Sequence, residues 1–583
     1  MRHNKLLALV GATALGVTGL ASTASAQTST SATSTVASSS SAAGTQSYVV
    51  LAERGGSAKA LAAKLKAKGA SVVSVNEQIG LVTVTSSDAG FAKKARAMKG
   101  VFGASTEGIV GRSPQRPNKD TTERPRLDGS GPGNSHGKSA HSKKGKKGAT
   151  DTFDPLLWGM DMIDAPEAHA IESGDKRVKV GIMDTGVDAT HPDIAPNFDR
   201  KLSRNFVTDI PAIDGPCEVE SCVDPATVDE GGHGTHVAGT VGAAKNGVGV
   251  SGVAPTASIV NVRAGQDAGY FFLGPVVDAL TYSADKGLDV VNMSFYVDPW
   301  AFNCVDGAPE DSPEEAEAQN MTIEAMSRAL RYAHAKDVTL VGALGNSAED
   351  LANPSMDTSS PNYPEGNEHP RTIDNASCYD LPVEGPHVIG VSAVGPSERK
   401  AYFSNYTTDL SSGEIEVSAP GGDYRDYPGT TKFTTPGNLI LSSIPRNVAL
   451  AEGSIDEDGN ITPYGEGWVL KDCQTVPGKG EQCGYYEYYQ GTSMASPHAA
   501  GVSALIVSAH GKVNGKAGFG LDADRTRQIL MDSARDKACP EPRLFDYPEI
   551  PAAYNAECVG DADFNGFYGD GIVNAYKAVT HTG

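Results

Sequence analysis

Apolar residues along this chain recur with two periods, and the period changes at definite places. From Ser47 to Ser105, short alternating runs frame helical stretches. Ser47–Leu51 reads as a strand, Ser57–Lys68 as a helix, Ser71–Val75 and Leu81–Thr85 as paired strands, Asp88–Lys99 as a second helix and Val101–Ser105 as a last strand. The order β-α-β-β-α-β predicts a small ferredoxin-like α+β unit; on the residues alone a free-standing binding module fits equally. From about Asp151 the strands become continuous apolar runs, at Val178–Met183, Ser258–Val262, Asp289–Ser294, Val338–Ala343 and Val388–Val394. Helical stretches lie between them, including His236–Ala244, Val276–Lys286 and Glu314–Lys336, and a helix of small residues runs from Gly491 to about His510. Strands buried on both faces and alternating with helices predict an α/β fold, a doubly wound parallel sheet. Sites in such sheets gather at the C-terminal strand ends, where Asp184, Ser294 and Asn346 fall. The segment Ser347–Gln490 has few strong elements and reads as sheet completion plus long surface insertions.

The ends and joints of the chain change this picture. Met1-Arg2-His3-Asn4-Lys5, an apolar run from Leu6 to Leu20 and Ala24-Ser25-Ala26 predict a secretory signal peptide cut after Ala26. No later run reaches membrane-spanning length. Residues 27–46 are a Ser/Thr/Ala-rich tail. Residues 112–150 hold ten Lys or Arg against three Asp or Glu, with many Gly and Ser and no apolar period, and predict a basic, flexible tether. The boundaries therefore read 1–26, 27–46, 47–112, 113–150 and 151–583. Residues 1–150 carry a net +14 within a chain of net −22, so the remainder is strongly acidic. A basic front would attract an acidic main domain, and that acidic domain excludes a nucleic-acid role. All eight cysteines lie beyond residue 216. An even count in an exported chain favours disulfides. Cys217/Cys222 and Cys473/Cys483 are close enough to staple loops, which leaves Cys304/Cys378 and Cys539/Cys558 by elimination among 105 connectivities.

Candidate chemistry sits at the element ends. Ser493, in Gly491-Thr492-Ser493-Met494-Ala495-Ser496-Pro497-His498, starts the small-residue helix, where free N–H groups and the positive dipole end favour an oxyanion. A plain N-cap serine is the bland alternative. Asp184 follows a buried strand and opens Asp184-Thr185-Gly186. His233 lies in Gly231-Gly232-His233-Gly234-Thr235-His236-Val237-Ala238-Gly239-Thr240. A metal pair with His236 is weak without the Glu of HExxH. Asn346, in Leu344-Gly345-Asn346-Ser347, reads in isolation as a turn residue.

Together, Asp184-Thr185-Gly186, the His233–Thr240 stretch and the Gly491–His498 stretch, in that order, resemble the subtilisin-like (subtilase) serine peptidases. The resemblance covers roughly residues 152–581. It implies Ser493 as nucleophile, His233 as general base and then acid, Asp184 as the orienting carboxylate, and Asn346 with the Ser493 N–H as oxyanion donors. Ser294, Phe295, Tyr296 and Gly345 fall at substrate-binding positions; Tyr296 puts a ring where the family's cleft usually has none, so reshaped non-prime subsites are expected. Residues 47–112 resemble the family's inhibitory, chaperone-like prosegment. The resemblance implies no cofactor for the chemistry. Asp193, with Asn246 in a short partner loop, matches a structural calcium position, whereas Asp561, Asp563 and Asn565 begin like an EF-hand but have Ile572 at the twelfth place. The expectation is a secreted pre-pro-endopeptidase acting on proteins or peptides, inhibited by its own prosegment, with no nucleic acid and no stable membrane anchor. Alternatives are a processing protease of narrow range and a catalytically silent peptide-binding scaffold. The serine motif is not the GxSxG elbow of lipases.

Overall fold

Two alternating patterns become two sheets in the computed structural model, which describes residues 45–107, 123–125 and 150–582 apart from 355, 365, 477, 479 and 514–517. The expected signal peptide, nearly all of the 27–46 tail and most of the tether lie outside the described residues. The first sheet is built from β1 (Gln46–Ala52), β2 (Ser71–Asn76), β3 (Leu81–Ser86) and β4 (Val101–Glu107), with α1 (Ala58–Ala67) and α2 (Phe91–Arg96) between strands. Its antiparallel order is β2-β3-β1-β4, the ferredoxin-like arrangement.

The second sheet is parallel and seven-stranded. Its strands are β5 (Lys179–Met183), β6 (Arg204–Asn205), β7 (Ser258–Arg263), β8 (Val290–Met293), β9 (Thr339–Ala343), β10 (Val388–Val394) and β11 (Val417–Pro420). The order is β11-β10-β9-β8-β5-β7-β6. Period-two alternation sorts each strand between two cores. Val180, Ile182, Val290, Val341 and Val391 face one helix layer, which includes α3 (His233–Gly242) and α6 (Thr492–His510). Val260, Val262, Val291, Met293 and Leu340 face the other, formed by α4 (Leu273–Asp285) and α5 (Pro313–His334). Helix α5 starts where the sequence requires it: Ser312 accepts from Glu315 N, Glu315 accepts from Ser312 N, and Pro313 occupies the first turn.

The segment expected to hold few strong elements contains a further sheet. Strands β12 (Ile440–Ile444), β13 (Val469–Val476) and β14 (Gly480–Tyr489) pair in the antiparallel order β12-β14-β13. The C-terminal half of β14 buries consecutive residues, including Tyr485, Tyr486, Tyr488 and Tyr489, so it carries no alternation for sequence reading to find. This strand leads through Gln490-Gly491 directly into α6. Four disulfides join Cys217–Cys222, Cys304–Cys378, Cys473–Cys483 and Cys539–Cys558, the two close pairs and the two left by elimination. No helix among the described residues is long and apolar enough to cross a membrane.

Alternation in the small sheet also explains how it is held. Tyr48, Val50, Val82 and Val84 face its own two helices. Val49, Leu51 and Leu81 point the other way and join the α4/α5 core. Polar contacts frame this apolar seam. Asn76 Nδ2 donates to Thr281 Oγ1 and Asp278 Oδ1, both at 2.8 Å, Arg328 donates to the Ala52 and Ile79 carbonyls at 2.9 Å, and Arg54 pairs with Glu324 at 2.6 Å. Glu107 accepts from Gly274 N at the start of α4. Asn76 and its partner Thr281 are both buried, so Asn76→Ala is expected to weaken the seam by about 1–3 kcal/mol. Hydrogen exchange should then speed up across residues 46–107 and stay slow in β8 and β9; unchanged exchange in β1–β4 would contradict the seam's dependence on it.

Candidate active site

Three strand ends and two helix starts meet at one point. Asp184 directly follows β5 and is fully buried. Its Oδ1 accepts from Thr185 N at 2.8 Å and meets His233 Nδ1 at 2.7 Å. His233 is the first residue of α3, so the helix starts three residues earlier than its apolar pattern predicts. Asp229 explains the early start. Its carboxylate accepts from Gly231 N, Gly232 N, Thr235 N and Thr235 Oγ1, and also from Thr185 Oγ1. One buried side chain thus caps α3 and ties it to the Asp184 turn. Gly234 makes the approach possible: a Cβ there would lie 2.1 Å from Gly186 O and 2.9 Å from Asp184 Cβ. Asp229 escaped sequence reading because an aspartate before two glycines looks like an ordinary turn.

Ser493 and Asn346 are fixed by each other's neighbours. Asn346 Oδ1 accepts from Thr492 N and Thr492 Oγ1, both at 2.9 Å. That orients its Nδ2 outward, into the cleft. Thr492 Oγ1 also accepts from Gly345 N at 3.0 Å. Asn405, which the sequence did not single out, bonds Leu344 O, Ser347 N and Glu349 N and so holds the turn that presents Asn346. Ser294, after β8, donates from Oγ to Ser493 O at 3.1 Å and meets Ser496 Oγ at 2.8 Å. Ser493 Oγ itself donates to Ser294 O at 3.3 Å.

The centre of this arrangement holds a residue of the chain's own N-terminal side. Glu123 Oε2 lies 3.2 Å from His233 Nε2, and its Oε1 accepts from Asn346 Nδ2 at 3.1 Å. Ser493, beside it, also favours the charged form of this carboxylate. The Glu123 backbone carbonyl accepts from Gln490 N at 2.9 Å. The next residue, Arg124, pairs with Glu452 and Glu487. Residues 123–125 are buried; ion pairs, not apolar periodicity, seat these three residues. Burial alone disfavours a charged imidazole, but the Asp184 and Glu123 carboxylates outweigh it and hold His233 well above the ordinary histidine range.

The remaining expected residues fall around this centre. Phe295 stacks on Phe271 at 4.1 Å. Tyr296 is exposed, and Asn362 Nδ2 donates to its hydroxyl at 2.7 Å, so the ring is tethered. His236 stacks on Tyr489 at 4.3 Å and turns Nε2 to the Ile440 and Glu487 carbonyls; burial, with help from His233, pushes it down to about 3. His498 bonds Met494 O and is pushed down by burial to about 4.

Asp193 and Asn246 meet through hydrogen bonds. Asn246 Nδ2 donates to Asp193 Oδ1 at 3.1 Å, and its Oδ1 accepts from Val248 N at 3.0 Å. Asp193 Oδ2 accepts from Val250 N at 3.1 Å and Tyr486 OH at 2.8 Å. A calcium ion requires about six to eight oxygen ligands; here N–H and O–H donors surround the carboxyl, and burial pushes it up to about 8. In the EF-hand-like run, Asp561 Oδ1 accepts from Asp563 N and Phe564 N, closing its own turn. Tyr486→Phe, which strips a donor from buried Asp193, should lower stability by about 1–3 kcal/mol and reduce Tm in calorimetry, while a chelator leaves the wild-type Tm unchanged. A chelator-induced fall in Tm would overturn this description.

Comparison with known proteins bears on the family and the fold. The model of the subtilase family (peptidase S8) matches residues 175–571. An intracellular serine protease of Paenibacillus polymyxa is 28% identical over 348 residues, covering 60% of this chain and 72% of that protein. Subtilisin DY of Bacillus licheniformis is 28% identical over 352 residues, covering 60% of this chain and 84% of that protein. The crystal structure of the epidermin leader peptide processing serine protease of Staphylococcus aureus shares the fold, with a TM-score of 0.58 at 19% identity over 92% of this chain and 98% of that one. The chain belongs to the subtilase family and is a serine endopeptidase of the subtilisin type.

Proposed function

We propose that the chain is a secreted pre-pro-endopeptidase that cuts protein substrates through an acyl-enzyme, with Asp184, His233 and Ser493 as its triad. The observation that carries this reading is the carboxylate of Glu123 bound jointly by His233 and Asn346. An anion held there occupies the neighbourhood in which an oxyanion would form. With Glu123 withdrawn, Ser493 Oγ attacks the scissile carbonyl and His233 Nε2 takes its proton. Asn346 Nδ2 and the Ser493 N–H receive the developing oxyanion. The tetrahedral intermediate collapses as His233 gives the proton to the leaving amine, leaving the acyl ester on Ser493. Water, deprotonated by His233, then attacks that ester, and the carboxylic acid and free Ser493 are released. Asp184 keeps the imidazole tautomer fixed throughout. The step needs no cofactor.

Residues 47–112 act as the inhibitory prosegment, 113–150 join it to the catalytic domain at 151–583, and 1–26 direct export. The seam on α4 and α5 and the seated Glu123 support an intramolecular inhibitor. The four disulfides support an oxidising compartment. A narrower processing role gains support from the tethered Tyr296 and from the fold shared with a protease named for leader-peptide processing.

Wild type and Ser493→Ala expressed full length in a secreting host test this directly. The wild type should lose its N-terminal region by intact mass and digest a denatured protein, while Ser493→Ala stays long and inert. Asn346→Ala should retain the label of a serine-directed fluorophosphonate but lose about 10²–10³ in kcat, a magnitude established on a subtilisin rather than on this chain. Wild type that stays inert and unlabelled would favour the silent scaffold.

A further inference from the structure

Beside the catalytic centre lies a second charged contact that the peptidase chemistry does not use. Arg124 exposes only 7% of its side chain, although it belongs to a segment rich in Lys, Gly and Ser. Its two terminal nitrogens each donate to one carboxylate oxygen of Glu452. Nη2 also donates to Glu487 Oε2 at 3.0 Å, and the guanidinium carbon lies 4.7 Å from the centre of the Tyr489 ring. Both acids belong to the catalytic domain. Glu452 follows the short helix Arg446–Ala451, and Glu487 stands in β14, six residues before Ser493. The Glu487 side chain is only 2% exposed.

One buried and one part-buried carboxylate and an aromatic face converging on one cation form an unusual construction. Burying like charges together is costly unless a counter-charge meets them with good geometry. The planar fork of a guanidinium meets a carboxylate through two parallel hydrogen bonds and lies favourably against an aromatic ring; a lysine ammonium cannot do the first. The contact has a fixed place along the cleft. The Gln490 N–H holds the carbonyl of the residue before the arginine, and the side chain of that same residue reaches His233 and Asn346.

We infer that Glu452, Glu487 and Tyr489 form a specificity subsite for an arginine of the substrate, the residue immediately after the one whose carbonyl bonds Gln490 N–H, and that Arg124 fills this subsite until the N-terminal region leaves. The inference rests on the endopeptidase reading above and names one side chain its substrates carry.

The test has a catalytic arm and a binding arm. In the first, the secreted, processed enzyme is profiled on a peptide library with Arg, Lys, Ala or Glu at each position flanking the cut. At one position Arg should exceed Ala by about tenfold or more in kcat/KM and should exceed Lys; in Glu452→Gln and Glu487→Gln the Arg-to-Ala ratio should fall towards one. In the second arm, the full chain carrying Ser493→Ala, Glu123→Ala and Arg124→Ala is titrated with fluorescent peptides containing Glu-Arg-Pro or Glu-Ala-Pro. The arginine peptide should bind about tenfold more tightly or better, and adding Glu487→Gln should remove the difference. An active enzyme indifferent to arginine at every position overturns the subsite and leaves the endopeptidase reading intact. An enzyme that neither cuts nor takes a fluorophosphonate defeats that reading instead, and the binding arm then decides the subsite alone, equal affinities overturning it.

Discussion

The imidazole of His233 lies between two carboxylates, Asp184 on Nδ1 and Glu123 on Nε2. The first comes from the central sheet and the second from the chain's N-terminal side. Each favours the imidazolium, and together they override the burial that would otherwise discharge it. A protonated His233 cannot accept the Ser493 proton. In the proposed mechanism the same contact would fill the space at Asn346 and keep the imidazole from acting as the base.

The rest of the fold serves this geometry. β5, β8 and β9 deliver Asp184, Ser294 and Asn346 to one end of a parallel sheet. α3 and α6 pack on one face of that sheet and bring His233 and Ser493 over the same end. Buried polar residues then set the angles: Asp229 pins α3 to the Asp184 turn, and Thr492 aims the amide of Asn346. On the opposite face, α4 and α5 carry the ferredoxin-like unit through the far side of its alternating strands. The docking of that unit and the seating of Glu123 are thus physically separate contacts, joined by the chain between them.

Much of the centre was legible in the sequence because its parts are local. Asp184, Asn346 and Ser294 each follow a continuous apolar run, and Ser493 opens a helix whose small residues stand out from any background. What escaped was non-local. Arg124 finds its partners 328 and 363 residues away, and no window of the basic tether contains a trace of them. Asp229 and Asn405 act through several backbone N–H groups at once, a role that composition does not distinguish from a turn. β14 was missed because its aromatic residues are buried on both faces, which erases the strand period. At Asp193, Tyr486 from that same strand brings its hydroxyl to the carboxyl, a contact no local pattern announces.

The most direct measurement of the central claim is the titration of His233 in the intact chain. With Ser493→Ala to prevent processing and histidine labelled for NMR, the midpoint is followed with Glu123 present and with Glu123→Gln. A neighbouring carboxylate raises the pKa of a base, so its removal must lower it. The account predicts a clear downward shift in the Glu123→Gln chain, with Asp184 keeping the midpoint from falling further. An identical midpoint in the two chains would mean that Glu123 does not touch the imidazole and that the site is not closed in this way.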